Sequence, residues 1–101
     1  MSQQALVLDG PIGRIELTGA ALASLAARSA EAIVDVHVRR PRRRLRVTVE
    51  ASSIQIEIGV DTVLGNVLPD VGEAIQRSVA RAVEASTGLP TSVDVTFEEL
   101  A

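Results

Sequence analysis

The sequence predicts an α+β fold, a two-layer sandwich in which two helices cover one face of a mostly antiparallel sheet in the order β-α-β-β-β-α-β. Three observations carry this. Val34, Val36 and Val38, then Leu45, Val47 and Val49, then Ile54, Ile56, Ile58 and Val60 alternate with polar residues. A period of two over β-branched runs marks strands with one dry and one wet face. Two further stretches place apolar residues at helical spacing, Leu22, Leu25, Ala26, Ser29 and Ile33 in one and Val71, Ile75, Val79 and Val83 in the other. The length of 101 residues, with 47% hydrophobic and 23% charged, fits one domain over residues 1–101. Residues 1–11 are expected as a short lead-in and 12–100 as the folded core.

The elements follow in order. Gly10-Pro11 signals a turn. Arg14-Ile15-Glu16-Leu17 alternates and predicts a short first strand with Ile15 and Leu17 inward. Thr18 is a good N-cap, because its hydroxyl can accept from an orphan amide of the next turn. The first helix is expected over about residues 19–32, and its many alanines allow close packing. Strands are expected next over residues 33–38, 45–50 and 54–61, the last two close enough to form a hairpin. Pro69 suits the first helical position and Asp70 and Glu73 its positive dipole end. Arg77 stands four residues after Glu73, a favourable pairing. Gly88 suits the left-handed position after the second helix, with Pro90 beyond it. Val93, Val95 and Phe97 then point inward from a last strand, against Asp94, Thr96 and Glu98 outward.

The core must be aliphatic, since Phe97 is the one aromatic residue. A chain of this size buries a smaller share of its surface than a larger one, so burial through self-association would help it. No cysteine is present, which removes disulfides and thiolate metal ligands and suits a reducing cytosol. Met1-Ser2-Gln3-Gln4 does not open a signal peptide, and no apolar run approaches the ~20 residues of a membrane span. The chain is expected to be cytoplasmic, with any membrane association made through a partner.

Charge is unevenly spread. The formal net charge is −3, lysine is absent, and six of the ten arginines are Arg39, Arg40, Arg42, Arg43, Arg44 and Arg46. They form a basic knob on an acidic body, and they are the candidate interaction surface. The wet face of the sheet is expected to add Arg14, Glu16, Asp35, His37, Glu50, Gln55, Glu57, Asp94 and Thr96. Clustered arginines grip phosphates bidentately, so a nucleic-acid- or anionic-surface-binding module is one alternative. The absence of an exposed aromatic to stack a base argues against sequence-specific RNA reading. A solvated, charge-balancing turn and an acidic protein partner are the other two.

No catalytic set is apparent. His37 is the lone histidine; Asp35 lies two residues away on the same expected face, but the three or four ligands of a zinc site are missing, and a solvated surface histidine is the simpler reading. Glu16, Glu50, Glu57 and Asp94 could pair as acid and base, but carboxylates alternating with arginines on a sheet more often form cross-strand pairs. There is no phosphate-binding loop or nucleophile elbow. No metal and no cofactor are expected, and the chain is expected not to be an enzyme.

Three stretches carry a family resemblance: Gly13-Arg14-Ile15-Glu16-Leu17 before an alanine-rich helix, Gly65-Asn66-Val67-Leu68-Pro69-Asp70-Val71 with Ala74-Ile75-Gln76-Arg77-Ser78-Val79, and Thr87-Gly88-Leu89 before Val93-Asp94-Val95. Together they resemble the alkaline shock protein family, also called the envelope stress response family, over about residues 13–98. The resemblance implies a small, cytosolic, non-enzymatic scaffold, acting through a protein partner that could be small and membrane-anchored, or through a homo-oligomer. The chain departs from the family pattern in two places. Residues 33–38 read as regular strand where a flexible glycine-containing segment is usual, and the arginine cluster is not a family hallmark.

Overall fold

The computed structural model describes residues 6–39 and 45–100. Two strands, β1 (Leu6–Gly10) and β2 (Gly13–Leu17), precede helix α1 (Gly19–Glu31). Strands β3 (Val36–Val38), β4 (Arg46–Val49) and β5 (Ile54–Thr62) follow, then helix α2 (Leu68–Thr87) and strand β6 (Thr91–Leu100). The protein is an α+β two-layer sandwich with both helices on one face of the main sheet.

The main sheet is organised around β5. On one side β3 pairs antiparallel with its second half (Val36 opposite Thr62, Val38 opposite Val60), and β4 pairs antiparallel with its first half (Arg46 opposite Glu57, Val49 opposite Ile54). β3 and β4 therefore form one interrupted edge strand. On the other side β6 runs parallel to β5, from Ile54 opposite Thr91 to Thr62 opposite Leu100. Helix α2 is the crossover that a parallel pair requires.

Burial follows the expected alternation. Val36, Val38, Val47, Ile54, Ile56, Ile58, Val60 and Val93 all face inward and are buried. From above they meet Leu22, Ala26, Ala27 and Ala30 of α1 and Ile75, Val79 and Val83 of α2. The alanines bring the two helices close, and the Ser78 hydroxyl donates to the Ser29 carbonyl at 2.8 Å. Phe97 packs inward beside Gly72 of α2, where an added Cβ would lie 3.7 Å from the ring.

The caps read from the sequence are in place. Thr18 Oγ1 accepts from the Ala21 amide at 3.1 Å. Gly88 closes α2 at φ 73°, its N–H donating to the Glu84 carbonyl at 2.7 Å. Thr87 adds a second closure, donating to the Val83 carbonyl and accepting from the Leu89 amide. Arg77 and Glu73 pair across one helical turn at 3.7 Å.

Four expectations need correction. First, residues 6–10, expected within a lead-in, form a strand: Gly10 stands opposite Gly13, so the turn signal at Pro11 is a two-residue hairpin loop. The element order gains one strand at its start. Second, β2 does not join the main sheet. It pairs with β1 in a separate two-stranded ribbon, which meets the core through half-buried Leu8 and Leu17. Third, the strand expected over 33–38 begins only at Val36. Asp35 sits at φ 66°, a left-handed conformation that ends pairing and leaves Val34 82% exposed in the turn. Asp35 therefore leaves the wet face, and its short polar side chain is one of the few that tolerate this backbone. Fourth, Arg14 and Glu16 belong to the ribbon and Glu50 to the loop after β4, not to the main sheet's outer face.

Candidate interaction surface

The outer face of the main sheet is the face that neither helix covers. Register places His37 and Arg39 on its β3 edge, Arg46 and Thr48 on β4, Gln55, Glu57, Gly59 and Asp61 on β5, and Ser92, Asp94 and Thr96 on β6. Alternation puts them there, because each neighbours an inward-facing aliphatic.

Arg39 is the centre of the arrangement. Its backbone N–H donates to the Gly59 carbonyl at 3.2 Å, one step beyond the last β3 pair. Its guanidinium then crosses β5, donating to Asp61 Oδ1 at 3.4 Å and Glu99 Oε2 at 2.9 Å. Gly59 carries no side chain to stand in the way. One side chain thus links all three layers of strand, from the β3 edge to β6. The hydrogen bond to Asp61 and then the Asp61 charge raise the Arg39 pKa above its ordinary value, and Glu99 adds to the effect.

Other pairs run across the same face. Arg46 stands opposite Glu57, His37 opposite Asp61, and Gln55 Nε2 donates to Asp94 Oδ2 at 2.9 Å. Basic residues lie along the β3–β4 edge and acidic ones along β5 and β6. Of the carboxylates on this face, Asp61 and Glu99 pair with an arginine and Asp94 accepts from Gln55.

Of the candidate residues, Arg39 and Arg46 are both on this face. Arg40, Arg42, Arg43 and Arg44 lie outside the described residues. Their sequence positions bracket them between the ends of β3 and β4. The side chain of Arg14 is likewise outside what is described.

Sequence reasoning missed Glu99. Counting in twos from Val93 points residue 99 inward and Glu98 outward. The register shifts between Val60 and Asp61, where Phe97 and then Glu99 are the partners, so Glu98 is the extra residue of a bulge. A bulge resets the parity of a strand, and this one delivers Glu99 to Arg39. No local signal marks it. Among the described residues no group of three or more His, Asp or Glu side chains could hold a metal ion. None of the described helices is long and apolar enough to cross a membrane.

The α+β sandwich with both helices on one face of its sheet is of the ferredoxin-like α/β kind found in similar solved domains. Solved structures of MamM CTD, the C-terminal domain of MamM, share this fold. A single-substitution variant matches with a TM-score of 0.54 at 20% identity, over 79% of this chain and 94% of that one. A nickel form gives a TM-score of 0.54 at 20% identity over 79% and 96%, and a copper form 0.53 at 20% over 79% and 95%. No protein-family model matches the chain, and no curated protein matches it.

Proposed function

We propose that this chain is a non-enzymatic interaction domain that self-associates and offers its uncovered sheet face to a protein partner. The carrying observation is the outer face itself, with Arg39 and Arg46 on one edge and Glu57, Asp61, Asp94 and Glu99 beside them. Its charged groups are spread over the strands of the sheet, with Arg39 bridging Asp61 and Glu99, rather than gathered around one reactive side chain. Such a face recognises a surface of complementary charge, which sets partner choice and encounter rate more than raw affinity. Sharing a fold with a C-terminal domain of another protein supports an accessory, non-catalytic role, and fold by itself goes no further.

The resemblance to the alkaline shock family supplies a setting for this role: a cytoplasmic scaffold near the envelope, held there by a small membrane-anchored protein. The nucleic-acid alternative is weakened by Arg39, whose charge is already committed to two carboxylates. Sedimentation velocity over a hundredfold concentration range tests the self-association. The weight-average coefficient rises with concentration if the proposal holds. A strict monomer at the highest concentration overturns it.

A further inference from the structure

Strand β6 forms one edge of the main sheet. Among the described residues it pairs with β5 alone, and it is the longest described strand. Such an edge presents a row of main-chain N–H and C=O groups to any extended chain that can lie beside it.

The direction of each group follows from the register. The Ile54 N–H donates to the Pro90 carbonyl at 2.9 Å, and Ile54 stands opposite Thr91. Parallel ladders are evenly spaced, so the N–H and C=O groups of Ser92, Asp94 and Thr96 turn to β5, and those of Val93, Val95 and Phe97 turn to the free edge. Helix α2 occupies the beginning of that edge with two side chains. Glu84 Oε2 accepts from the Thr91 N–H at 3.0 Å, and Gln76 Nε2 donates to the Val93 carbonyl at 3.1 Å. Among the described residues nothing does the same for Val95 and Phe97, and their side chains are only half-buried although they face the core. Charge along this edge has one sign. Glu84, Asp94 and Glu99 are exposed, and residues 82–101 include no basic side chain. Asp94 accepts from the uncharged Gln55 amide and so keeps its charge to offer.

We propose that the β6 edge at Val95 and Phe97 is a strand-addition site, which takes an extended segment of a partner protein in which apolar residues alternate with arginine or lysine. The segment adds antiparallel, the more stable pairing. Its main chain completes the hydrogen bonds of Val95 and Phe97 and supplies affinity, and its alternate side chains supply specificity. Its apolar residues cover Val95 and Phe97 on the helix side, and its basic residues lie beside Asp94 on the outer face. Charge decides against a second copy as the occupant. One β6 laid against another sets acidic strand against acidic strand, and like charges facing across a ladder destabilise it. The inference goes beyond the reading above and does not rest on self-association.

The probe is a fluorescein-labelled peptide of alternating valine and arginine, as long as β6, followed by fluorescence anisotropy with the full chain at physiological ionic strength. In antiparallel pairing the peptide residues opposite Val95 and Phe97 turn their N–H groups to β6, and these are the valines. N-methylation of the valines is therefore expected to weaken binding about tenfold or more, because hydrogen bonds are lost while the charge stays. Val95→Pro is expected to weaken binding by a similar factor, since the N–H it removes faces the free edge and the ladder to β5 keeps its bonds. Circular dichroism establishes that this variant is folded. Asp94→Arg, at an exposed position, is expected to weaken the arginine peptide and to favour a peptide of alternating valine and glutamate. Equal binding of the N-methylated peptide, or of one with its valines and arginines in separate blocks, would mean charge attraction alone and overturns strand addition. Failure of the alternating peptide to bind the unaltered chain overturns it as well.

Discussion

Arg39 ties β3 to β6 with a single guanidinium, yet its side chain is 41% exposed and its partners 32% and 66%. Exposed ion pairs are screened by salt and contribute little. Arg39→Ala is therefore expected to lower the urea midpoint slightly at low salt and not measurably at high salt. An equal loss in both would mean that packing, not charge, does the holding. The pH dependence has a definite sign. A cation whose pKa is raised on folding contributes in full below its unfolded pKa and loses that contribution only as pH rises through the folded one. For an arginine both lie far above neutrality, so Arg39 itself gives stability no slope between acid and neutral pH. Gly88 is a different case. It sits at φ 73° with nothing within 4 Å of an added Cβ, so the cost of a side chain is backbone strain alone. Gly88→Ala is expected to cost about 1–2 kcal/mol in chemical denaturation, the penalty of a left-handed L-residue.

At the scale of elements, α2 contains one glycine that its conformation does not require. Gly72 lies in the helix, and an added methyl would meet the Phe97 ring at 3.7 Å, an ordinary contact. Gly72→Ala is expected to stabilise by about 0.5–1 kcal/mol, since alanine is the better helix former. Destabilisation would show that Phe97 has no room to accept it. The strands differ sharply from one another. β5 is paired on both sides and buries Ile54, Ile56, Ile58 and Val60, whereas among the described residues the β1–β2 ribbon pairs with no other strand. Hydrogen exchange in dilute solution is expected to be much faster for the ribbon amides than for those of β5, because local opening exposes the ribbon without disturbing the core. Comparable protection in both would place the ribbon inside the cooperative core.

Taken whole, the molecule has one core, and its middle is aliphatic. Ile56 is fully buried on the central strand. Ile56→Ala is expected to cost about 2–5 kcal/mol, a loss large enough to unfold much of a small domain and visible as a drop in melting temperature. A cost under 1 kcal/mol would mean that the helices collapse onto the sheet and fill the space.

Much of this whole was legible beforehand. The period-two runs at residues 45–49 and 54–60, the stripes of both helices, and the caps at Thr18 and Gly88 each have a physical cause a few residues wide. The outer face was legible for the same reason, and with it the placing of His37, Arg46, Gln55, Glu57 and Asp94. Val34 misled, because alternation continues into a turn whenever the turn residue happens to be apolar. Residues 6–10 escape a reading in which the Gly10-Pro11 turn marks a boundary, because the turn instead joins two paired strands. Glu99 was missed because a bulge leaves no trace in composition.

The sequence by itself determined the kinds of element, their order from β2 onward and the inward residues of β4, β5 and both helices. These are properties of neighbouring residues, set by dihedral preference, side-chain periodicity and capping. Only the tertiary structure decided that β3 and β4 share one edge of β5, that β6 runs parallel to it, and that Arg39 reaches Glu99. It alone separated the ribbon from the main sheet. Those outcomes depend on which distant segments pack together, and packing is a competition among contacts that no short window of sequence contains.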